Sequence, residues 1–234
     1  MTGAWAGDPA LAEVAPARTF AYFDRYYAAY LPADRQTRIL DFGCGFGSFL
    51  AYLESRGYRN FLGVDVDPRC VDFCVRHGLA AVRFEVDSRA FLRAHPAEFD
   101  LILVREVACY FAPGETADYL CALRMALKPA GRLIVEVFNG ALLTGMYPSL
   151  NDHWIVKVFT EHSLRAALLA AGFKVTNLFG ASGAGTGARY QGWRAASRLW
   201  AAALRAVYLL ERGRDSLNPT IFDKNLVAVA EPQA

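Results

Sequence analysis

From Arg38 onward, short apolar runs that end in glycines or acids alternate with segments of helical periodicity. The runs Arg38–Phe42, Asn60–Val66, Ala81–Val86, Asp100–Val104 and Arg132–Phe138 predict strands. Between them, Ser48–Arg56, Arg69–His77, Ser88–Ala94 and Glu115–Leu127 predict helices, the last closed by Lys128-Pro129-Ala130-Gly131. Strands that alternate with helices imply a parallel sheet covered on both faces. Continuous apolar runs agree, because such strands are buried on both sides. Ahead of this pattern, Arg18–Leu31 carries Phe20, Tyr22, Phe23, Tyr26, Tyr27 and Tyr30 and predicts an amphipathic helix ending before Pro32. Beyond Asn139 the alternation stops. Gly140–Val158 is a long connection, Thr160–Ala171 a capped helix ending at Gly172, and Phe173–Phe179 a strand. Ala181–Ala188 is Gly/Ser/Ala-rich and predicts a mobile connection. Gln191–Arg212 predicts a long helix and Lys224–Ala230 a final strand, and the chain has no internal repeat.

The length of 234 residues, 54% hydrophobic and 21% charged, fits one globular domain with a sizeable core. No apolar run reaches the roughly 18 residues of a membrane span. Met1–Pro16 lacks the basic start and continuous apolar stretch of a signal peptide. Five cysteines without a C-x-x-C pair argue against a disulfide framework or zinc ribbon, so a reducing cytoplasm is expected. A net charge of +2 argues against nucleic acid as a partner.

The sharpest chemical signal is Asp41-Phe42-Gly43-Cys44-Gly45-Phe46-Gly47 at a strand-to-helix junction. Alternating glycines let the backbone turn tightly and approach a ligand. Ser48 stands where a dinucleotide fingerprint needs its third glycine, and no lysine completes a phosphate loop. The next strand ends at Asp65, 18 residues after Gly47, where a carboxylate can accept hydrogen bonds from both hydroxyls of a ribose. Asp67, preceding Pro68, suits the plainer role of a helix cap. Asp87 and Ser88 close the following strand. Three successive strands ending in polar residues at one sheet edge mark a binding edge.

These residues resemble the class I methyltransferases that use S-adenosylmethionine, from about Arg38 to Ala230. Phe99-Asp100-Leu101-Ile102 and Leu127-Lys128-Pro129-Ala130-Gly131-Arg132-Leu133-Ile134 support the resemblance. It implies an α/β, Rossmann-like, seven-stranded sheet with helices on both faces and the last strand antiparallel. It also implies that Asp41, Gly43, Cys44, Gly45 and Gly47 lie against the methionine moiety, and that Asp65 holds the ribose. Val66 would pack on the adenine, Asp87 and Ser88 would meet its edge, and Arg105 would add a contact after the fourth strand. One methyltransferase domain, 1–234, is expected. Residues 1–37 would form a helical cap, 38–139 the cofactor half, and 140–234 the substrate half with a helical insertion at 181–222.

The second half is similar to bacterial methyltransferases of polysaccharide or glycolipid biosynthesis. The resemblance rests on Val137-Phe138-Asn139-Gly140, Asn151-Asp152, Phe159-Thr160 and Asn218-Pro219-Thr220-Ile221-Phe222. Relatives often carry a Glu-His pair where this chain has Cys109-Tyr110, so no histidine transfers by position.

Methyl transfer to an alcohol needs the nucleophile held in line and its proton removed. Tyr110, Glu106, Asn139, Asp152 and His153 are candidates, and the sites chosen as catalytic are Asp152, His153 and Tyr110. An exposed loop position is as good a reading for His153. His77, His95 and His162 suit ordinary helix or loop positions, and no cluster has metal-ligand spacing. On the long helix, Arg194, Arg198, Arg205 and Arg212 form one stripe, with Leu199, Ala203, Val207 and Leu210 opposite. Such a helix can meet an anionic membrane surface. The favoured reading is nevertheless a solvated Arg face over a helix packed on the sheet. The insertion is expected to cover the substrate pocket.

The reading that combines these features is a methyltransferase acting on a sugar hydroxyl of a surface glycan or glycolipid. Two rivals remain: a natural-product O- or N-methyltransferase, and a non-catalytic module that binds S-adenosylmethionine and regulates a partner.

Overall fold

The structure, a computed structural model, describes residues 16–79, 82–112, 114–185 and 187–233. The expectation for Met1–Pro16 therefore falls almost wholly outside the described residues, as do residues 1–15 of the proposed cap at 1–37 and the first residue of the Ala81–Val86 run. The elements are α1 (Pro16–Tyr26), β1 (Ile39–Phe42), α2 (Ser48–Ser55), β2 (Phe61–Asp65), α3 (Pro68–Arg76), β3 (Val82–Phe84), α4 (Ser88–Ala94) and β4 (Phe99–Arg105). They continue with α5 (Thr116–Ala126), β5 (Leu127–Phe138), α6 (Tyr147–Asn151), α7 (Glu161–Ala170), β6 (Phe173–Ala181), α8 (Ala188–Arg212) and β7 (Asn225–Pro232).

The strands form one sheet in the order β3-β2-β1-β4-β5-β7-β6. The first five are parallel, and β7 runs antiparallel to both β5 and β6. Side chains alternate across this sheet, as the strand period of 2 requires. Leu40, Phe42, Ile102, Val104, Leu133 and Val135 pack on one face against α4, α5 and α7. Ile39, Leu101, Leu103, Ile134 and Val227 pack on the other against α1 and α2. The aromatics of the N-terminal helix enter this second layer. Phe23, fully buried, meets Phe49 and Tyr52 with ring centroids 5.3 and 5.2 Å apart.

Helix starts follow the side-chain chemistry. The Asp67 carboxylate accepts from the Arg69 N–H at 2.9 Å with Pro68 opening α3, which is the capping role expected of it. Thr160 and Ser163 close a reciprocal capping box at the start of α7.

Several boundaries differ from expectation, among them the strand Val82–Phe84, which stops short of Val86, and the long helix, which begins at Ala188. The aromatic helix ends at Tyr26, and a 3₁₀ turn over Ala28–Tyr30 follows. Lys128-Pro129-Ala130-Gly131 belongs to the start of β5, since α5 stops at Ala126. The long connection contains α6, whose Pro148 sits in the first turn where no N–H is needed. β6 extends to Ala181, shortening the connection that follows.

The favoured reading of α8 also needs correcting. Of its 25 residues only Leu204 is buried, while Leu199 and Leu210 are 75% and 86% exposed. The apolar side opposite the arginines does not pack on the sheet. Contact with the body of the protein comes instead from residues such as Leu204 and Tyr208, whose hydroxyl donates to the Ala141 carbonyl at 3.1 Å.

Candidate functional site

Strand order reverses between β1 and its two neighbours, β2 and β4, and the crevice beyond their carboxyl ends is where open α/β sheets take ligands. A cavity of about 480 Å³ lies there. Its walls include Gly43, Cys44, Gly45, Phe46, Ser48, Asp65, Val66, Glu85 and Ser88 on one side. Arg105, Glu106, Val107, Tyr110, Phe111, Tyr119 and Thr19 close the other.

The glycine loop has the backbone that the cavity needs. Gly43 and Gly45 have φ of +77° and +53°, a region in which other residues are strained. A Cβ on Gly43 would stand 2.2 Å from Cγ2 of Val107, so the loop packs directly on the segment after β4. A Cβ on Gly45 would meet nothing within 4 Å, because that position faces open space. Gly47 (φ +72°) serves the interior instead, where a Cβ would reach Leu79 and Cys74 at 2.5 and 2.9 Å.

Asp65 organises the loop at the end of β2. Its Oδ2 accepts from the Gly45 N–H at 2.8 Å and its Oδ1 from the Asp67 N–H at 2.9 Å. Burial pushes its carboxyl up, and these hydrogen bonds pull it down. Asp41 lies behind the wall, 3% exposed. Burial pushes its carboxyl up to about 7, against the opposing pull of Arg105.

Other members of the expected set divide. Cys44, Ser88 and Arg105 are on the cavity wall, and Val66 is half exposed along it. Asp87 is not on that wall. Its carboxylate accepts from the Ala90 N–H at 3.0 Å and caps α4, because a strand-to-helix junction leaves orphan N–H groups that a short acid satisfies. Glu85, which the sequence reading passed over, takes the wall position two residues earlier.

At the opposite end, Tyr110 lies in the 3₁₀ turn Ala108–Tyr110 that follows β4. Its hydroxyl donates to Oδ2 of Asp152 at 3.0 Å, a contact between segments 42 residues apart. Asp152 is 3% exposed, and its Oδ1 accepts from the Trp154 N–H at 3.0 Å. Burial, with the neighbouring Cys109 and Asp152, drives the Tyr110 phenol well above its ordinary range, so it stays protonated. Two of the three candidate catalytic groups thus come together on one side of the cavity. The third does not. His153 is exposed, and its ring lies against Trp154 with centroids 4.8 Å apart.

Beneath the Arg105 end lies a polar cluster that the sequence analysis did not assemble. Glu136 of β5 is fully buried and accepts hydrogen bonds from Tyr22, Tyr27 and Asn225. The guanidinium of Arg105 comes to 3.9 Å from Glu136 and lies over the rings of Tyr22 and Phe23. Glu106 accepts from Asn225 at 2.9 Å and holds φ +56°, a rare value for a residue with a side chain. Such local strain persists where the surroundings over-determine it, often at functional sites. The signal was present in the sequence: an acid inside the apolar run Ile134-Val135-Glu136-Val137 must find buried partners. Among the described residues, no cluster of His, Cys, Asp and Glu has the arrangement of a metal site.

A family model described as a methyltransferase domain matches residues 17–178 of the chain. Among curated relatives, a tRNA U34 carboxymethyltransferase of Cellvibrio japonicus is 27% identical over 139 residues, covering 54% of this chain and 42% of that protein. The chain spans about half the length of the curated relatives it matches. Among solved structures, an S-adenosylmethionine-dependent methyltransferase of Archaeoglobus fulgidus aligns with a TM-score of 0.66 at 18% identity, over 96% of this chain and 95% of that one. A Burkholderia thailandensis 1,6-didemethyltoxoflavin N1-methyltransferase, solved with its substrate and S-adenosylhomocysteine, aligns with a TM-score of 0.57 at 20% identity, over 96% of this chain and 81% of that one.

Proposed function

The chain belongs to the methyltransferase-domain family, and from that premise we propose that it is an S-adenosylmethionine-dependent methyltransferase acting on a sugar hydroxyl. The cofactor supplies a methyl group on a positively charged sulfur, open to in-line displacement. The residues present fit it. Gly43–Gly45 offer close backbone approach, and Gly45 leaves open space where a side chain would stand. Asp65 presents a carboxylate for the ribose hydroxyls, Val66 an apolar surface for the adenine, and Ser88 with Glu85 polar atoms for its edge. Asp41 places a buried acid behind the loop, toward the positively charged methionine end.

The acceptor end is carried by one observation: Tyr110, on the cavity wall, donates its hydroxyl to the buried Asp152. An attacking hydroxyl must lose its proton as the new C–O bond forms. Tyr110 takes that proton while passing its own to Asp152, so a carboxylate behind the wall acts as the base. Arg105 and Glu106 make this end polar and charged, which suits a hydroxyl-rich acceptor. Asp152 and Tyr110 are the catalytic residues in this reading, and His153, exposed beside Trp154, has no part in it.

A planar nitrogen heterocycle is the second reading. Phe111 and Tyr119 stack at 3.9 Å with 3° between their planes on the cavity wall, a surface that would receive a flat ring. A small acceptor of either kind agrees better with a net charge of +2 than a nucleic acid does.

The test is a transfer assay with methyl-labelled S-adenosylmethionine against a panel of free and nucleotide-linked sugars and a panel of heterocycles. Label appearing in an O-methyl sugar supports the first reading, and label on a ring nitrogen supports the second. Cofactor binding with no transfer to either panel would leave the binding-module rival standing.

A further inference from the structure

We infer that α8 is an interfacial helix that docks the protein on an anionic lipid surface. Its outward side is an unbroken apolar strip. Ala195, Leu199, Ala202, Ala206 and Leu210 recur at spacings of three and four and are all exposed. Arg194, Arg198 and Arg205 run one position before Ala195, Leu199 and Ala206, and Arg212 continues the same line, so they flank this strip on one side. Trp200, 54% exposed, and Val207 flank it on the other. Apolar side chains to the acyl boundary, guanidinium groups on long stems and an indole at the margin are the side-chain set that settles at a headgroup layer.

Charge selects the occupant. Residues 188–212 hold five Arg and one Glu, a net +4 in a chain whose total is only +2, so the rest of the molecule is net −2. The positive charge is therefore concentrated on this helix, complementary to anionic lipid. A second copy of the chain is the poorer partner, because a two-fold contact through this strip would bring Arg stripes of like sign together. Among the described residues no helix is long and apolar enough to cross a membrane, so the contact is peripheral.

A groove of about 720 Å³ runs between α8 and the β6–β7 edge, lined in part by Trp193, Arg194, Arg198 and Lys224. The ring of Trp193 reaches 3.9 Å from the Cβ position of Gly183, and Gly183 walls a smaller opening that shares Thr19 and Arg105 with the main cavity. The N-terminal end of α8 thus borders the opening at the Arg105 end, on the side of the helix away from the apolar strip. The inference does not depend on which acceptor is methylated.

The full chain is mixed with phosphatidylcholine vesicles and, separately, with vesicles that also contain phosphatidylglycerol, and partition is read by sedimentation. Sedimentation with the anionic vesicles alone, weakening as salt rises, is the expected result. Arg194→Ala with Arg198→Ala should weaken it on the order of thirtyfold. Leu199→Glu with Leu210→Glu should abolish it while leaving the thermal melt and cofactor binding unchanged, since both positions are exposed. Three results overturn the inference: no partition onto either vesicle, equal partition onto both, or a concentration-dependent dimer that the double Glu variant breaks.

Discussion

Tyr22 of α1 donates a 2.7 Å hydrogen bond to Glu136 of β5, 114 positions later in the chain. Tyr27 and Asn225 donate to the same buried carboxylate, so one acid ties the N-terminal helix to two neighbouring strands. That tie holds the aromatic layer under Arg105 and hence the floor of the cavity's polar end. Replacing Glu136 by Ala would leave the Tyr22 and Tyr27 hydroxyls without their acceptor and Asn225 with Glu106 alone, and the expected loss is about 3–5 kcal/mol of unfolding free energy. Tyr22→Phe removes one charge-assisted bond and should cost about 1.5–3 kcal/mol. Urea unfolding of the two variants measures both, and equal losses would contradict the shared-acceptor account.

The glycine loop makes a prediction about two neighbouring positions. Ala at Gly43 must collide with Val107 as well as adopt a left-handed backbone, so it should destabilise by about 3 kcal/mol or more. At Gly45 there is no collision, and only the conformational term of about 1–2 kcal/mol remains. Chemical denaturation should therefore rank Gly43→Ala well below Gly45→Ala. The same two proteins should differ the other way in use of their stability. Gly45→Ala, although folded, carries its new methyl into the cavity and should bind S-adenosylmethionine at least tenfold more weakly than wild type.

These relationships show what a sequence displays and what it conceals. The runs at Arg38–Phe42 and Asp100–Val104 were readable as strands because both their faces are buried, and Asp67 as a cap because Pro68 follows it. Local chemistry decides such features. Asp87 offered the same local signal as Asp65, an acid at a strand end, and only the direction of the chain after β3 makes one a cap and leaves Glu85 on the wall. The contact of Tyr110 with Asp152 depends on how the α6 connection folds back over the turn after β4, which no pattern in either segment specifies. For α8, periodicity revealed two faces, but whether the apolar one is covered depends on the rest of the molecule.

Asp41 links stability to pH with a definite sign. Its carboxyl rises from an ordinary value of 3.8 to about 7 on folding, mainly through burial. The folded chain then binds more protons than the unfolded one between these values, so stability falls as pH rises from about 4 to about 7. The full effect is on the order of 4 kcal/mol. Asp41→Asn should flatten this slope, as read by urea midpoints across that range. A cationic ligand end near Asp41 favours its ionised form, so cofactor binding should release a proton near neutral pH and tighten from pH 6 to pH 8. Calorimetry in buffers of different ionisation enthalpy detects that release, which Asp41→Asn should remove.

The proton path through Tyr110 and Asp152 separates chemistry from binding more sharply than any other feature of the site. Tyr110→Phe keeps the ring on the wall but has no proton to pass, and Asp152→Asn keeps the shape but is no base. Each should lower kcat by about 10²-fold or more, with the dissociation constant for S-adenosylmethionine within about twofold of wild type. Because both act on one proton, the double variant should be scarcely slower than either single one. His153→Ala, which changes an exposed ring lying against Trp154, should leave kcat unaltered. If Tyr110→Phe keeps full activity, the relay is wrong, and Glu106, strained and on the same wall, becomes the acid to replace next. Additive losses in the double variant would instead place Tyr110 and Asp152 in two independent roles, one positioning the acceptor and one removing its proton.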